Sequence, residues 1–127
     1  MKKIHSGPFR VAPGTKVRLN DWPTLSDQFY TTKDHYQQLL ADQIEALGQR
    51  QTVLYADNRY SVLIVLQAMD AAGKDGCIKH VMSGINPQGC QVYSFKHPSA
   101  TELDHDFLWR TTRNLPERGQ IGIFNRS

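Results

Sequence analysis

The residues best suited to chemistry lie between Val62 and Gly76, in the run Val-Leu-Ile-Val-Leu-Gln-Ala-Met-Asp-Ala-Ala-Gly-Lys-Asp-Gly. The apolar residues Val62 to Leu66 stop abruptly, small residues follow as far as Gly73-Lys74, and a helical pattern then begins. Strand, tight loop, Gly-Lys and helix is the build of a phosphate cradle. In such a turn the backbone N–H groups of Ala71, Ala72, Gly73, Lys74, Asp75, Gly76 and Cys77 converge on one place, and the helix dipole adds positive potential there. The ammonium of Lys74 can reach the outer phosphates of a polyphosphate-type anion.

Two positions depart from the pattern G-x-x-x-x-G-K-[ST]. Ala68 stands at the first glycine, and Asp75 stands where a hydroxyl would normally help hold Mg²⁺. A strand–turn–helix corner with a surface lysine would show the same spacing. Asp70 argues against that plainer reading. A carboxylate inside an anion-binding loop repels phosphate unless a cation lies between them, so Asp70 points to Mg²⁺.

A second polar station closes the sequence. Ile121-Gly-Ile-Phe-Asn125 is an apolar run ending where a nucleotide site usually carries an aspartate that holds Mg²⁺ directly or through water. Asn125 offers an oxygen without charge, which suits an indirect metal contact. The guanidinium of Arg126, next in line, can grip a phosphoryl group with two parallel hydrogen bonds. Lys96 and His97 follow a strand whose carboxyl end is a place where ligands collect. Lys79, on the helix after the loop, reads as a solvated lysine. Asp104, His105 and Asp106 cannot share one ion if they sit on a helix, because neighbours there diverge by about 100°.

These groups need a scaffold to hold them. Tyr36, Leu39, Leu40, Ile44, Leu47 and Leu54 recur at helical spacing, so a packing helix is expected over 32–55, with Thr31 or Thr32 as its N-cap. Val62–Leu66 is expected as a strand buried on both faces, as in a helix-covered parallel sheet. A helix over 74–82, a strand over 90–95, a helix over 101–113 and a strand over 121–124 should follow. In the 101–113 helix, Leu103, Phe107 and Leu108 share a face and Trp109 packs with them. Alternating helices and strands argue for an α/β fold with a parallel sheet. With a phosphate loop on its first strand, that is a P-loop kinase-like three-layer α/β/α sandwich. The 127 residues bound the chain at one domain. Residues 1–31 read as an irregular basic lead-in and 32–127 as the domain, with its phosphate-binding strand, loop and helix over 61–83 and strands near 90–95 and 120–124.

Composition removes several classes. No apolar run approaches the roughly 20 residues of a membrane span. The start lacks the apolar stretch of a signal peptide. Cys77 and Cys90 have no pairing spacing and read as reduced thiols of a cytoplasmic protein. The match of Asn125-Arg126-Ser127 to a glycosylation site is then accidental. Lys2, Lys3, Arg10, Lys16 and Arg18 precede the first acidic residue, Asp21, as either a solvated tail or a lure for a long polyanion. No basic recognition helix or stacking platform appears, so nucleic acid is not an expected partner.

Five segments carry a resemblance. They are Leu63–Gly76, Gly84-Ile-Asn-Pro-Gln-Gly89, Phe95-Lys-His-Pro-Ser99, Glu102-Leu-Asp-His-Asp-Phe-Leu-Trp-Arg110 and Leu115–Ser127. In this order the chain resembles the polyphosphate kinase 2 family of P-loop phosphotransferases. The resemblance implies phosphoryl transfer between inorganic polyphosphate and a nucleoside mono- or diphosphate such as AMP or ADP, with Mg²⁺. It implies that Asp70 coordinates the metal and is needed for transfer, that Lys74 binds phosphate and that Arg126 contacts it. It also implies that Asp75 is the usual residue at its position. The family continues past the arginine-serine pair into further strands and a helical lid. These 127 residues therefore resemble an N-terminal portion, truncated after the third strand, for which little or no turnover is expected. A catalytically inactive remnant that binds polyphosphate or nucleotide is the alternative. A sheet this small, with an open apolar edge, invites association into a homo-oligomer.

Overall fold

The structure is a computed structural model that describes residues 6–69 and 71–126. Asp70 and Ser127 lie outside the described residues, as do Lys2 and Lys3 of the basic lead-in. The elements are α1 (Lys33–Asp57), β1 (Val62–Gln67), α2 (Lys74–Val81), β2 (Cys90–Phe95), α3 (Ala100–Leu103), α4 (Trp109–Thr112) and β3 (Ile121–Arg126). The chain divides into two compact units, one up to Asp42 and one from Gln43 onwards.

The first unit is mostly irregular, with short 3-10 turns at Gly7–Phe9 and Leu19–Asp21. Aromatic pairs stitch it together. Phe9 meets Phe29 edge-on at 5.9 Å, and Tyr30 meets Tyr36 at 5.2 Å. Helix α1 starts here. The His35 N–H donates to the Thr32 hydroxyl at 3.1 Å, so Thr32 rather than Thr31 is the cap.

In the second unit, α1 runs on to Asp57 and stops at Asn58, whose φ of +49° leaves the helical region. Its inner side lies against glycines. A Cβ at Gly84 would overlap Ile44, one at Gly89 would overlap the Gln51 side chain, and one at Gly119 would press on the Tyr55 backbone. The helix thus seats where the chain turns into β2 and β3, and the absence of side chains there permits the close approach.

The three strands form one parallel sheet in the order β1-β3-β2. Val62 and Cys90 both stand opposite Ile121. The last strand is therefore the central one, and it carries the core: Ile121, Ile123 and Phe124 are buried, joined by Ile85. The Phe124 ring meets Phe95 edge-on at 4.9 Å and Tyr93 at 6.2 Å. Such contacts contribute roughly 0.5–1.5 kcal/mol each beyond area burial. No described helix is long and apolar enough to cross a membrane.

Two expectations fail. Strand β1 forms, but it is not buried on both faces; Val62, Leu63, Ile64 and Val65 are all exposed, Val65 at 55%. The reason is strand order. Among the described residues β1 is an edge that pairs with β3 alone, so its apolar run satisfies the pleat without being covered. The doubly covered strand is β3.

The single helix expected over 101–113 is two short pieces, α3 and α4, separated by Asp104–Leu108. The Asp106 carboxylate accepts from the Leu108 N–H at 2.9 Å, and its carbonyl accepts from the Trp109 N–H at 2.9 Å. An aspartate that bonds the backbone two residues on offers an alternative to the helix, and here it wins. Leu103, Phe107 and Leu108 are consequently exposed, Phe107 at 79%, so the expected packed face does not exist.

Helix α3 does have a strong start. The Ser99 hydroxyl accepts from the Glu102 N–H, and the Glu102 carboxylate accepts from the Ser99 N–H at 2.8 Å, a reciprocal capping box. That backbone hydrogen bond, with the Arg110 and Arg113 charges adding to it, holds the Glu102 carboxyl below its ordinary range. A carboxyl lowered on folding contributes stability that is present above its unfolded value, about 4.3, and is lost as pH falls through the folded value. The Ser99 amide resonance is expected to report a single titration below pH 4.3 that vanishes in Glu102→Gln. A titration midpoint at or above the unfolded value would refute this.

Candidate phosphate-binding site

The loop leaves β1 at Gln67 and enters α2 at Lys74. Two left-handed residues bend it, Ala71 at φ +59° and Gly73 at φ +84°. For a non-glycine residue such as Ala71 this conformation costs roughly 1–2 kcal/mol, which the surrounding contacts must hold in place. The Ala72 N–H donates to the Met69 carbonyl at 3.3 Å, and the Cys77 N–H donates to the Gly73 carbonyl at 3.0 Å. These two amides close the turn instead of facing a ligand, contrary to the expectation that all seven from Ala71 to Cys77 converge. The first-turn amides of α2, including Asp75 and Gly76, are those a helix leaves without internal partners.

Lys74 folds back over the loop. Its ammonium donates to the Ala68 carbonyl at 3.0 Å and to the Met69 carbonyl at 2.9 Å. An ammonium has three N–H donors, so two hold it in position and one is left to face an anion. Ala68, at the first-glycine position, thus serves through its carbonyl, for which no glycine is required.

A cavity of about 580 Å³ opens at this place, lined by Ala71, Ala72, Gly73, Lys74, Asp75, Ser94, Phe95, Lys96 and Asn125. Gly76 and Cys77 are not among its lining residues. Ser94 and Phe95 were not foreseen as site residues. Ser94 stands opposite Asn125 in the sheet register, and the clustering of ligands at the carboxyl ends of parallel strands was the signal that could have found it.

Across this cavity the Asn125 side-chain amide donates to the Asp75 carboxylate at 2.5 Å, joining β3 to the first turn of α2. The other end of that amide, Asn125 Oδ1, is buried and has no hydrogen-bond partner among the described residues. Buried acceptors without a donor are uncommon. An exposed carboxylate and an orphaned amide oxygen side by side form a hard-oxygen donor set of the kind that suits Mg²⁺.

Arg126 lies next door. It lines a neighbouring hollow of about 620 Å³ together with His97 and Arg110, and Phe95 and Lys96 border both hollows. Arg110 is fixed there. Its guanidinium stacks over Phe95 at 5.1 Å, donates to the Lys96 carbonyl at 3.0 Å and lies 3.2 Å from the Glu102 carboxylate without hydrogen-bond alignment. Lys79 is exposed on α2 and lines neither hollow. His105 stacks on Trp109 at 4.0 Å, and no group of three His, Cys, Asp or Glu among the described residues could hold a metal. Both cysteines are free thiols, and burial pushes the Cys90 thiol up.

Comparison with known proteins agrees with this geometry. Residues 30–127 match the family model described as Polyphosphate kinase 2 (PPK2). The chain is 67% identical over 125 residues to an ADP-polyphosphate phosphotransferase of Rhodopseudomonas palustris, covering 98% of this chain and 43% of that protein. It is 42% identical over 120 residues to an AMP/ADP-polyphosphate phosphotransferase of Meiothermus ruber, covering 94% and 45%. A crystal structure of polyphosphate kinase 2 from Arthrobacter aurescens TC1 superposes with a TM-score of 0.81 at 39% identity, over 93% of this chain and 43% of that one. The chain thus spans less than half the length of these relatives.

Proposed function

Because the chain belongs to the polyphosphate kinase 2 family, we propose that its cradle takes part in phosphoryl transfer between inorganic polyphosphate and a nucleoside mono- or diphosphate, AMP and ADP foremost. The observation that carries this reading is the Lys74 ammonium, tied by two loop carbonyls at the mouth of a cavity that Asp75 and Asn125 also line. Phosphoryl transfer asks for positioning and charge neutralisation more than covalent chemistry. Lys74 and the first-turn amides of α2 bind and orient the phosphates, while Arg126 and Lys96 supply cations in and beside the cavity. Asp70 and Asn125 would hold Mg²⁺, which offsets the charge between loop carboxylate and phosphate. The free thiols accord with a reducing cytoplasm, and the open β1 edge with self-association.

The test is a phosphotransfer assay of the 127-residue chain with polyphosphate, Mg²⁺ and either AMP or ADP. Formation of the next higher nucleotide, even at the low rate expected of these 127 residues, is the result that supports transfer. A second reading, binding without turnover, is favoured by the exposure of Ala71, Ala72, Gly73 and Asp75 on an open cavity, since excluding water is part of catalysis. Salt-sensitive polyphosphate binding with no product would establish that second reading, and absence of binding would overturn both.

A further inference from the structure

We infer that Asp75 and Asn125 are an exchanged pair: the metal-facing carboxylate, which phosphate-loop sites ordinarily carry at the end of the strand, has moved to the helix, and its neutral partner has moved to the strand. The inference rests on the metal-assisted phosphate reading above and assigns to Asp75 a role that its position in the loop does not by itself require.

In the general arrangement, Mg²⁺ is held by a Ser or Thr after the loop lysine and by an aspartate at the end of the neighbouring strand. This chain departs at both places, with Asp75 after Lys74 and Asn125 at the end of β3. Each departure looks like a separate defect, the first adding a charge and the second removing one. The fold brings them together, since Asn125 Nδ2 donates to Asp75 Oδ1 at 2.5 Å. The pair keeps one carboxylate, one neutral oxygen and one hydrogen bond between them, so its net charge matches the ordinary arrangement.

Chemistry decides which partner must be which. The amide has to turn its N–H₂ toward the carboxylate to make that bond, and doing so leaves its oxygen pointing away. That oxygen is the buried acceptor without a partner among the described residues, and it belongs to a residue that lines the same cavity. The Asp75 oxygen not engaged by Asn125 and the Asn125 oxygen are therefore two hard donors, one charged and one neutral. Two aspartates at this separation would repel each other, and a Ser with an Asn would leave the pair no negative charge.

Mn²⁺ binding in the presence of tripolyphosphate, read from the electron paramagnetic resonance of the free ion, tests this without any turnover. Each chain is first checked for wild-type circular dichroism. Asp75→Ser and Asp75→Asn are expected to weaken Mn²⁺ binding by at least about tenfold. The swap Asp75→Ser with Asn125→Asp should recover it to within about threefold of wild type, far from the sum of independent changes. Wild-type affinity in Asp75→Ser, or a double variant as weak as Asp75→Ser, would overturn the exchange. A wild-type chain that holds tripolyphosphate but shows no Mn²⁺ binding would instead overturn the metal-assisted reading beneath it.

Discussion

Replacing Lys74 by alanine is expected to lower phosphoryl transfer by about 10²–10³-fold, the range seen when one preorganised donor to a transferring group is removed. The size follows from how the ammonium is held. Two of its three N–H groups are fixed on the Ala68 and Met69 carbonyls, so the third is aimed before any phosphate arrives and needs no reorganisation. Alanine removes that charge and frees the two carbonyls, which then face an incoming anion with their negative ends. Lys74→Arg should fare little better, because a planar fork cannot meet two loop carbonyls and a phosphate from one compact point. Transfer rates and polyphosphate affinity measured side by side check this. Transfer by Lys74→Ala within threefold of wild type would remove Lys74 from the site. If the chain binds without turnover, the same substitution should weaken binding and lessen its salt dependence.

The second large effect is on stability. Gly122 sits in the middle of β3, paired with Leu63 on one side and Gln91 on the other, so this backbone is gripped from both edges. A Cβ there would stand 2.9 Å from Pro116 Cδ and 3.0 Å from Cγ. A proline ring cannot rotate away, and a central strand cannot shift without breaking its pairing with both neighbours. Gly122→Ala should therefore cost about 2 kcal/mol by overpacking. For a domain of this size that is a fall in Tm of about 10 °C, measurable by thermal circular dichroism. Pro116→Ala should relieve much of it, because the two positions share one contact. An unchanged Tm in Gly122→Ala would show that the turn before β3 yields easily.

How far such features can be read from the chain depends on the distance over which they are decided. The turn after β1, the start of a helix at Lys74 and the strands Cys90–Phe95 and Ile121–Phe124, the last running on to Arg126, were legible because short-range rules fix them: small residues turn and β-branched runs extend. The two failures in the scaffold were decided elsewhere. Val62–Leu66 reads as a buried strand, and only the sheet order β1-β3-β2 shows that it lies on the edge and that Ile121–Phe124 takes the covered place. The apolar spacing of Leu103, Phe107 and Leu108 suits a helix, but one carboxylate, that of Asp106, captures the Leu108 N–H and ends it. In the site, Asp75 and Asn125 were each visible as departures, but their hydrogen bond depends on how β3 lies beside β1. Position along the chain does not reveal that two irregularities answer each other.

The central place of β3 has a consequence for how the sheet comes into being. Among the described residues β1 and β2 do not pair with each other; each pairs with β3, where Val62 stands opposite Ile121. During synthesis, at about 5–20 residues per second, both outer strands emerge seconds before the one that joins them. Through that interval neither outer strand has β3 to pair with. The pairing of these three strands then arrives in one late step of long sequence separation, which slows folding. The same strand that completes the phosphate site by delivering Asn125 is the one that permits the sheet to exist. Before β3 is in place, β1 and β2 are not joined and the cradle lacks Asn125, so the pairing of these strands and the completion of the site are one event.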